Sequence, residues 1–273
     1  MAALGAAFQD REVSQVDEND AKGWRLIWAS LKRPKWILGL AIMAAAPIFQ
    51  YLALRVGNLT QVQPMLTAEL LFLLGIIVVT HHDHPGAREW IGSIGIVVGL
   101  ALFLFAANPH GGHTHLSLRW GIGLGVVAAV VVAGFFFASK LVRGWIQAAL
   151  LGAAAATCFA YQAAMTQVVA GVKVTAILVT PALYGLAIGG LLGFILFQHA
   201  LRAGHVAASR ASMVIVDPLL SVLIGVVAFG DIVRSQPLAI ALEIVGLVIL
   251  MVGAQRLATS PLLAELAEPA VSQ

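Results

Sequence analysis

Long uninterrupted apolar runs, separated by short polar stretches, dominate the pattern of this chain. A helix needs about 20 apolar residues to cross a bilayer, whereas a membrane strand alternates over about ten. Because the runs are continuous and of helical length, the pattern predicts an all-α integral membrane protein with eight transmembrane helices. The predicted spans are residues 36–56, 63–80, 89–107, 120–138, 145–168, 177–199, 209–229 and 237–255.

The first residues of the chain resemble the end of a further span. Residues 2–7 read A-A-L-G-A-A, and residues 149–154 read A-L-L-G-A-A, 147 positions later. A nine-residue helix is only about 14 Å long, against a hydrocarbon core of about 30 Å. We therefore predict an N-terminal stub of a first span, whose missing part either lies upstream or has been lost. Residues 10–35 are predicted to be cytoplasmic, either as an interfacial amphipathic segment or as a solvated linker.

An internal repeat runs through the apolar spans. A-L-R-V-G at 53–57 recurs as A-L-R-A-G at 200–204, and V-G-L at 98–100 recurs at 245–247, each 147 positions later. The second copy begins five spans after the first, an odd number, so the two copies are predicted to cross the membrane in opposite directions. Inverted duplication is typical of secondary transporters. The chain is predicted to begin with the stub and cytoplasmic segment (1–35), followed by a first repeat of three spans (36–107) and a connecting span with its loops (108–143). A second repeat of four spans (144–256) and a cytoplasmic tail (257–273) complete it.

Composition and charge narrow the class of protein. Hydrophobic residues make up 60% of the chain and charged residues 11%, well below the roughly 25% of soluble domains. With the N-terminal segment inside, twelve Lys and Arg lie on the cytoplasmic side and four on the outer side, which predicts a cytoplasmic C-terminus. The single Cys158 excludes a disulfide within the chain, and no basic run indicates a nucleic-acid partner.

Three acids lie inside the predicted spans, where a charge costs at least about 2.5–3.5 kcal/mol. Asp217 is near the midplane and precedes Pro218, which removes a backbone N–H, so it is the first candidate for a proton or cation site; a protonated, structural Asp is the alternative. Glu69 is its near-counterpart, about 9 Å into its span. Glu243 is predicted to have a structural role, with Arg234 or Arg210 as its partner.

Other residues are candidates for the solute path or for helix motion. Gln50 and Gln198 precede the repeated motif, and Gln162 shares a helix face with Thr166; these four line a path or join helices. The hinge candidates are Pro218, Pro64 and Gly189. Helix packing is predicted for the glycines with small-x-x-x-small spacing, namely Gly121, Gly123, Gly125, Gly185, Gly189, Gly190 and Gly193.

Two histidine groups look like a metal site but are predicted on opposite sides of the membrane. His81, His82 and His84 fall in an inside loop, while His110, His113 and His115 fall in an outside loop. We therefore predict no specific metal site. Motifs of intramembrane proteases and lipases, H-E-x-x-H and G-x-S-x-G, do not occur in the sequence, and we predict no enzyme.

The chain resembles the drug/metabolite transporter superfamily, in particular its EamA-like and NIPA-like bacterial members. The segments that carry the resemblance are F-Q-Y-L-A-L-R-V-G-N-L at 49–59, V-Q-P-M-L at 62–66, F-Q-H-A-L-R-A-G-H-V at 197–206, V-D-P-L-L-S-V-L-I-G-V-V-A-F-G-D at 216–231 and I-V-G-L-V-I-L-M-V-G-A at 244–254. The resemblance implies an inner-membrane carrier of small molecules that uses no cofactor.

The residues and the resemblance together predict a secondary transporter of a small metabolite or drug-like compound, with Asp217 and Glu69 coupling transport to protons. A divalent-cation permease of the NIPA-like magnesium type is the first alternative, and a non-transporting membrane scaffold is the second. The predicted partners are a small-molecule substrate and the lipid bilayer, without nucleic acid; a homodimer stays an open alternative.

Overall fold

The fold is known from a computed structural model, which describes residues 47–81 and 84–262. The predicted N-terminal stub, the cytoplasmic segment 10–35 and the first part of the span 36–56 lie outside the described residues, as does most of the predicted tail. Residues 47–56, which are helical, form the first described helix, α1.

Helices make up nearly all of the described chain, as the apolar pattern predicts. After α1 come α2 (Leu59–Leu66), α3 (Glu69–His81), α4 (Ala87–Ala107), β1 (His110–Gly111), α5 (Leu118–Leu141), α6 (Trp145–Ala170), a 3₁₀ helix (Val174–Val179), α7 (Pro181–Arg202), α8 (Val206–Ala228), β2 (Asp231–Ile232) and α9 (Pro237–Ala258). Within the described ranges, seven stretches are long and apolar enough to cross a membrane. The prediction of a multi-pass helical membrane protein is confirmed to that extent.

The second predicted span differs from the prediction because it begins earlier and is broken. The side chain of Asn58 accepts a hydrogen bond from the Gln61 N–H at 3.1 Å, so the helix begins at Leu59 instead of near residue 63. Past Pro64, Thr67 N–H donates to the Pro64 carbonyl and Ala68 N–H to the Met65 carbonyl, at 3.2 and 3.0 Å. These bonds to the third residue back form a tight turn, which separates α2 from α3.

α6 lies at the centre of the bundle and packs against α5, α7 and α8. Its small side chains allow close approach, and its contacts with α7 bear out four of the predicted packing glycines: Gly185, Gly189, Gly190 and Gly193 face Tyr161, Met165, Cys158, Gln162 and Phe159 of α6. Gly125 of α5 also faces Tyr161. The packing prediction is wrong for Gly121 and Gly123, since nothing lies within 4 Å of the position of a Cβ at either.

α4 and α9 are in close backbone contact through glycines that were not among those predicted to pack helices. A Cβ on Gly99 would lie 2.3 Å from the Leu250 nitrogen and 2.7 Å from the Gly246 carbonyl oxygen. A Cβ on Gly246 would lie 2.6 Å from the Phe103 nitrogen and 3.0 Å from the Gly99 carbonyl oxygen. The two backbones therefore touch at Gly99 and Gly246, which belong to the two copies of the repeated V-G-L.

A short two-stranded sheet joins the loop before α5 to the loop before α9. β1 and β2 pair antiparallel, with His110 opposite Ile232 and Gly111 opposite Asp231. The His113 N–H donates to the Phe229 carbonyl at 2.9 Å. These bonds hold both loops over one end of the bundle, close to the N-terminus of α2.

Candidate functional site

The two acids that the repeat relates lie at matching depths in the bundle. Glu69 comes ten residues after the start of α2 at Leu59, and Asp217 eleven after the start of α8 at Val206. At 1.5 Å per residue both lie roughly 15 Å from their helix starts, which is about half of the bilayer core. The sequence-based depth of about 9 Å for Glu69 was too shallow because α2 begins earlier than predicted.

Glu69 and Asp217 also interact electrostatically. The Glu69 carboxylate at the start of α3 is near enough to Asp217 of α8 for the two charges to repel each other. The Ser221 hydroxyl donates to Asp217 Oδ1 at 3.4 Å, one turn along α8. Asp217 is half-buried and Glu69 is exposed to the space around the bundle. This acid pair, Glu69 and Asp217 with Ser221, is the candidate site.

Each acid adjoins a position where a regular helical hydrogen bond is missing. Glu69 begins α3 directly after the turn that ends α2, while Asp217 precedes Pro218 inside a helix that remains continuous from Val206 to Ala228. Pro218 has no N–H to donate to the carbonyl of Val214, one turn earlier. A carboxylate next to an unbonded carbonyl supplies two oxygen acceptors, which suits a proton or a cation.

The predicted glutamines and Thr166 lie elsewhere. Gln198 is exposed on α7, and Gln50 is half-buried on α1. The Thr166 hydroxyl donates to the Gln162 carbonyl at 2.8 Å, and the Gln162 side chain lies against Gly190 of α7. The Thr166 bond therefore lies within α6, whereas the Gln162 contact joins α6 to α7.

Glu243 does not have the partner that the sequence suggested. It is half-buried on α9, and neither Arg234 nor Arg210 forms an ion pair with it, although all three residues are described. Arg234 is occupied elsewhere, because its Nη1 donates to the Phe105 carbonyl at 3.4 Å. The pairing prediction was wrong because helix position alone gives no rotation about the helix axis.

Several buried polar atoms were missed by the sequence reasoning. Within the described ranges, Tyr51 OH, Gln63 Nε2 and Gln167 Oε1 are buried and have no hydrogen-bond partner in the protein. Their helices α1, α2 and α6 pack together through a core that includes Leu54, Leu59 and Ala164. Buried polar groups in proteins are nearly always hydrogen-bonded, so these atoms are candidates for bonds to water or to a solute.

Asp231 fastens the loop sheet to the bundle. Its side chain is 4% exposed, and Oδ2 accepts the Thr60 backbone N–H, the second N–H of α2, at 3.0 Å. This bond satisfies an amide that α2 itself leaves without a partner. Burial raises the pKa of the Asp231 carboxyl above its ordinary 3.8, and the bonds from Thr60 and the nearby His113 lower it only in part.

Asp231→Asn should remove a pH dependence of folding stability. A carboxyl whose pKa is raised by folding stabilises the folded state while protonated; the contribution is complete below the ordinary pKa of 3.8 and is lost as the pH rises through the raised pKa. Over that range the wild-type unfolding midpoint in detergent should fall relative to that of D231N, which still accepts the Thr60 N–H. Asp231→Ala, which leaves this N–H unsatisfied, should destabilise by about 1–3 kcal/mol throughout. Parallel pH profiles of wild type and D231N would contradict the assignment.

Metal ligands do not cluster in the part of the chain that the structure describes. No group of three or more His, Cys, Asp or Glu there has the arrangement needed to hold an ion. The side chain of His81 and the whole of residues 82 and 83 lie outside the part of the chain that the structure describes.

Comparison with known proteins gives one similarity that covers most of the chain. An uncharacterized protein of Corynebacterium glutamicum is 24% identical over 239 residues, which are 85% of this chain and 83% of that protein. No protein-family model matches the chain. No solved structure matches it either.

Proposed function

We propose that this chain is a secondary transporter of a small metabolite or drug-like compound, of the drug/metabolite transporter type, coupled to protons through Asp217 and Glu69. The observation that carries the proposal is the electrostatic interaction of two acids, one from each copy of the repeat, at matching depth and each beside a missing helical hydrogen bond. Intramembrane acids most often mark ion pathways.

An inverted duplication underlies this proposal, and the helix boundaries support it. α2 and α8 begin 147 positions apart, at Leu59 and Val206. The contacts of the repeated glycines are reciprocal: Gly99 meets Leu250, and Gly246 meets Phe103, the residue that corresponds to Leu250. Reciprocal contacts are what a two-fold relation between copies requires. Such a relation lets one copy rock against the other about a central site.

Repulsion between the two acids supplies a physical link from protons to helix positions. Two ionised carboxylates in apolar surroundings repel each other, and one bound proton removes most of that repulsion. Proton binding therefore favours the arrangement in which α3 and α8 are close, and proton release favours their separation. A gradient that loads the pair on one side and empties it on the other drives the cycle. The unpartnered polar atoms on α1, α2 and α6 are the groups that we assign to the solute path.

In the orientation that positive charge favours, the C-terminus is cytoplasmic and the acid pair lies between cytoplasm and exterior in the inner membrane. The loop sheet with Asp231 then lies on the outer side, and protons enter from the outside down their gradient.

Reconstitution into proteoliposomes tests the proposal. Candidate solutes are first identified by their ability to raise the unfolding temperature of the purified protein. An imposed proton gradient should drive uptake of such a solute above its equilibrium level, and an uncoupler should abolish this accumulation. Uptake of magnesium, with no proton-driven solute uptake, would favour the cation permease. Neither activity, in vesicles shown to contain folded protein, would leave the scaffold alternative.

A further inference from the structure

An open cavity lies along one side of the bundle, and neither Asp217 nor Glu69 lines it. It occupies about 530 Å³ between α5, α6 and α8 and opens sideways at the surface of the bundle. Its walls are apolar, with Leu124 and Val127 on one side and Leu223 and Val227 on the other. Val127 and Val227 are 60% and 62% exposed, so an occupant enters from the surrounding membrane and not from water.

The length of the cavity matches one leaflet of a bilayer. On α5 it runs from Arg119 to Val131, a rise of about 18 Å for a straight helix. One leaflet contributes about 15 Å of hydrocarbon. The deep end reaches Thr157, whose hydroxyl is bonded to the Ala153 carbonyl at 2.8 Å and so presents no free donor. The cavity therefore has the length and polarity of a slot for an extended acyl chain.

The side chain of Arg119 lies at one end of this slot. Arg119 is exposed at the first turn of α5, and among the described residues it has neither a hydrogen bond nor an ion pair through its side chain. Trp120 follows it, and Trp is enriched where membrane proteins meet the headgroup layer. A guanidinium binds phosphate oxygens in pairs, and the helix N-terminus adds a favourable dipole for an anion.

We propose that this groove binds an anionic phospholipid, with one acyl chain between α5 and α8 and the phosphate at Arg119. The site lies in the leaflet at the Arg119 end, the outer leaflet in the favoured orientation. Neither Asp217 nor Glu69 lines the groove, and lipid binding is measured without transport, so failure of this proposal would leave the transport proposal untouched.

Native mass spectrometry of the purified full-length protein tests the site, with phosphatidylglycerol and phosphatidylcholine as probes. Wild type should bind phosphatidylglycerol about tenfold more tightly than phosphatidylcholine. Arg119→Ala should remove this preference. Gly123→Leu should weaken both lipids about tenfold, because its side chain enters the slot, where nothing lies within 4 Å of a Cβ.

Matched controls lie on or beside the same helix. Arg143→Ala removes an exposed arginine beyond the opposite end of α5, and Gly134→Leu adds the same side chain where a Cβ also meets nothing within 4 Å. Both should bind lipid as wild type does. Equal losses in R119A and R143A, or unchanged lipid binding in a folded G123L, would overturn the proposal. Equally tight binding of glycerol phosphate alone would also overturn it, because the acyl slot would then contribute nothing.

Discussion

Asp217→Asn should reduce proton-driven uptake to the background of empty proteoliposomes, while the protein stays folded. Asparagine has nearly the same shape as aspartate and still accepts the Ser221 hydroxyl bond, which is 3.4 Å long in the wild type. It cannot exchange a proton, so the repulsion with Glu69 that protons would switch is permanently absent. Initial rates of solute uptake, with and without an imposed gradient, measure this loss; unfolding temperature verifies the fold.

Variants of the other two intramembrane acids make the test specific. Glu69→Gln should also lose proton-driven accumulation, because neutralising either acid of the pair removes the repulsion that proton binding controls. Glu243→Gln makes the same chemical change on α9, outside the pair, and should retain most of the wild-type rate. If D217N still accumulates solute against its gradient, protons are not coupled through this residue. If E243Q is as inactive as D217N, the activity depends on intramembrane acids in general and the assignment of the pair is wrong.

The approximate positions of the seven apolar helices among the described residues could be predicted from the sequence because each span needs a long apolar run. The start of α2 could not, because the polar residues Thr60, Gln61 and Gln63 lower the hydropathy of α2 and shifted its predicted start. Asn58 was the available signal, since an Asn before a helix is a good N-cap. Asn58 also corresponds to His205, which precedes α8, so the repeat itself contained the boundary.

The two acids could be predicted as a related pair from the repeat, whereas their mutual approach depends on how α3 and α8 rotate and tilt. The unknown rotation of the helices also explains why the sequence suggested the wrong partners, Arg234 and Arg210, for Glu243. Asp231 was visible only as an acid in a loop, since its hydrogen bond to Thr60 joins residues 171 positions apart. Contacts at that separation follow from the packing of the whole bundle and leave no local trace.

Glycine spacing alone does not show which helix, if any, packs against a glycine. Gly121 and Gly123 have the spacing of packing residues but face open space, while Gly99 and Gly246 join two helices. Spacing identifies a smooth helix face without identifying its neighbour. The repeat was the better guide here, because Gly99 and Gly246 occupy corresponding positions in its two copies.

Gly99→Ala should destabilise the folded protein by about 3 kcal/mol or more, at or above the upper end of what overpacking a core costs. The added methyl would lie 2.3 Å from the Leu250 nitrogen and 2.7 Å from the Gly246 carbonyl oxygen. Both are backbone atoms of α9, so no side-chain rotation relieves the clash and the two helices have to separate. Gly246→Ala should be similarly destabilising, because its methyl meets the Phe103 nitrogen at 2.6 Å.

Gly134→Ala separates this steric effect from the helix propensity of alanine. Nothing lies within 4 Å of a Cβ at Gly134, so this variant should be neutral or up to about 1 kcal/mol more stable than wild type. Unfolding midpoints of the three variants in one detergent measure the difference. Because G99A and G246A relax through the same helix separation, the double variant should be less destabilised than the sum of the two single variants. Full additivity would mean that the two glycines do not share one contact, and wild-type stability of G99A would show that α4 and α9 are not in backbone contact.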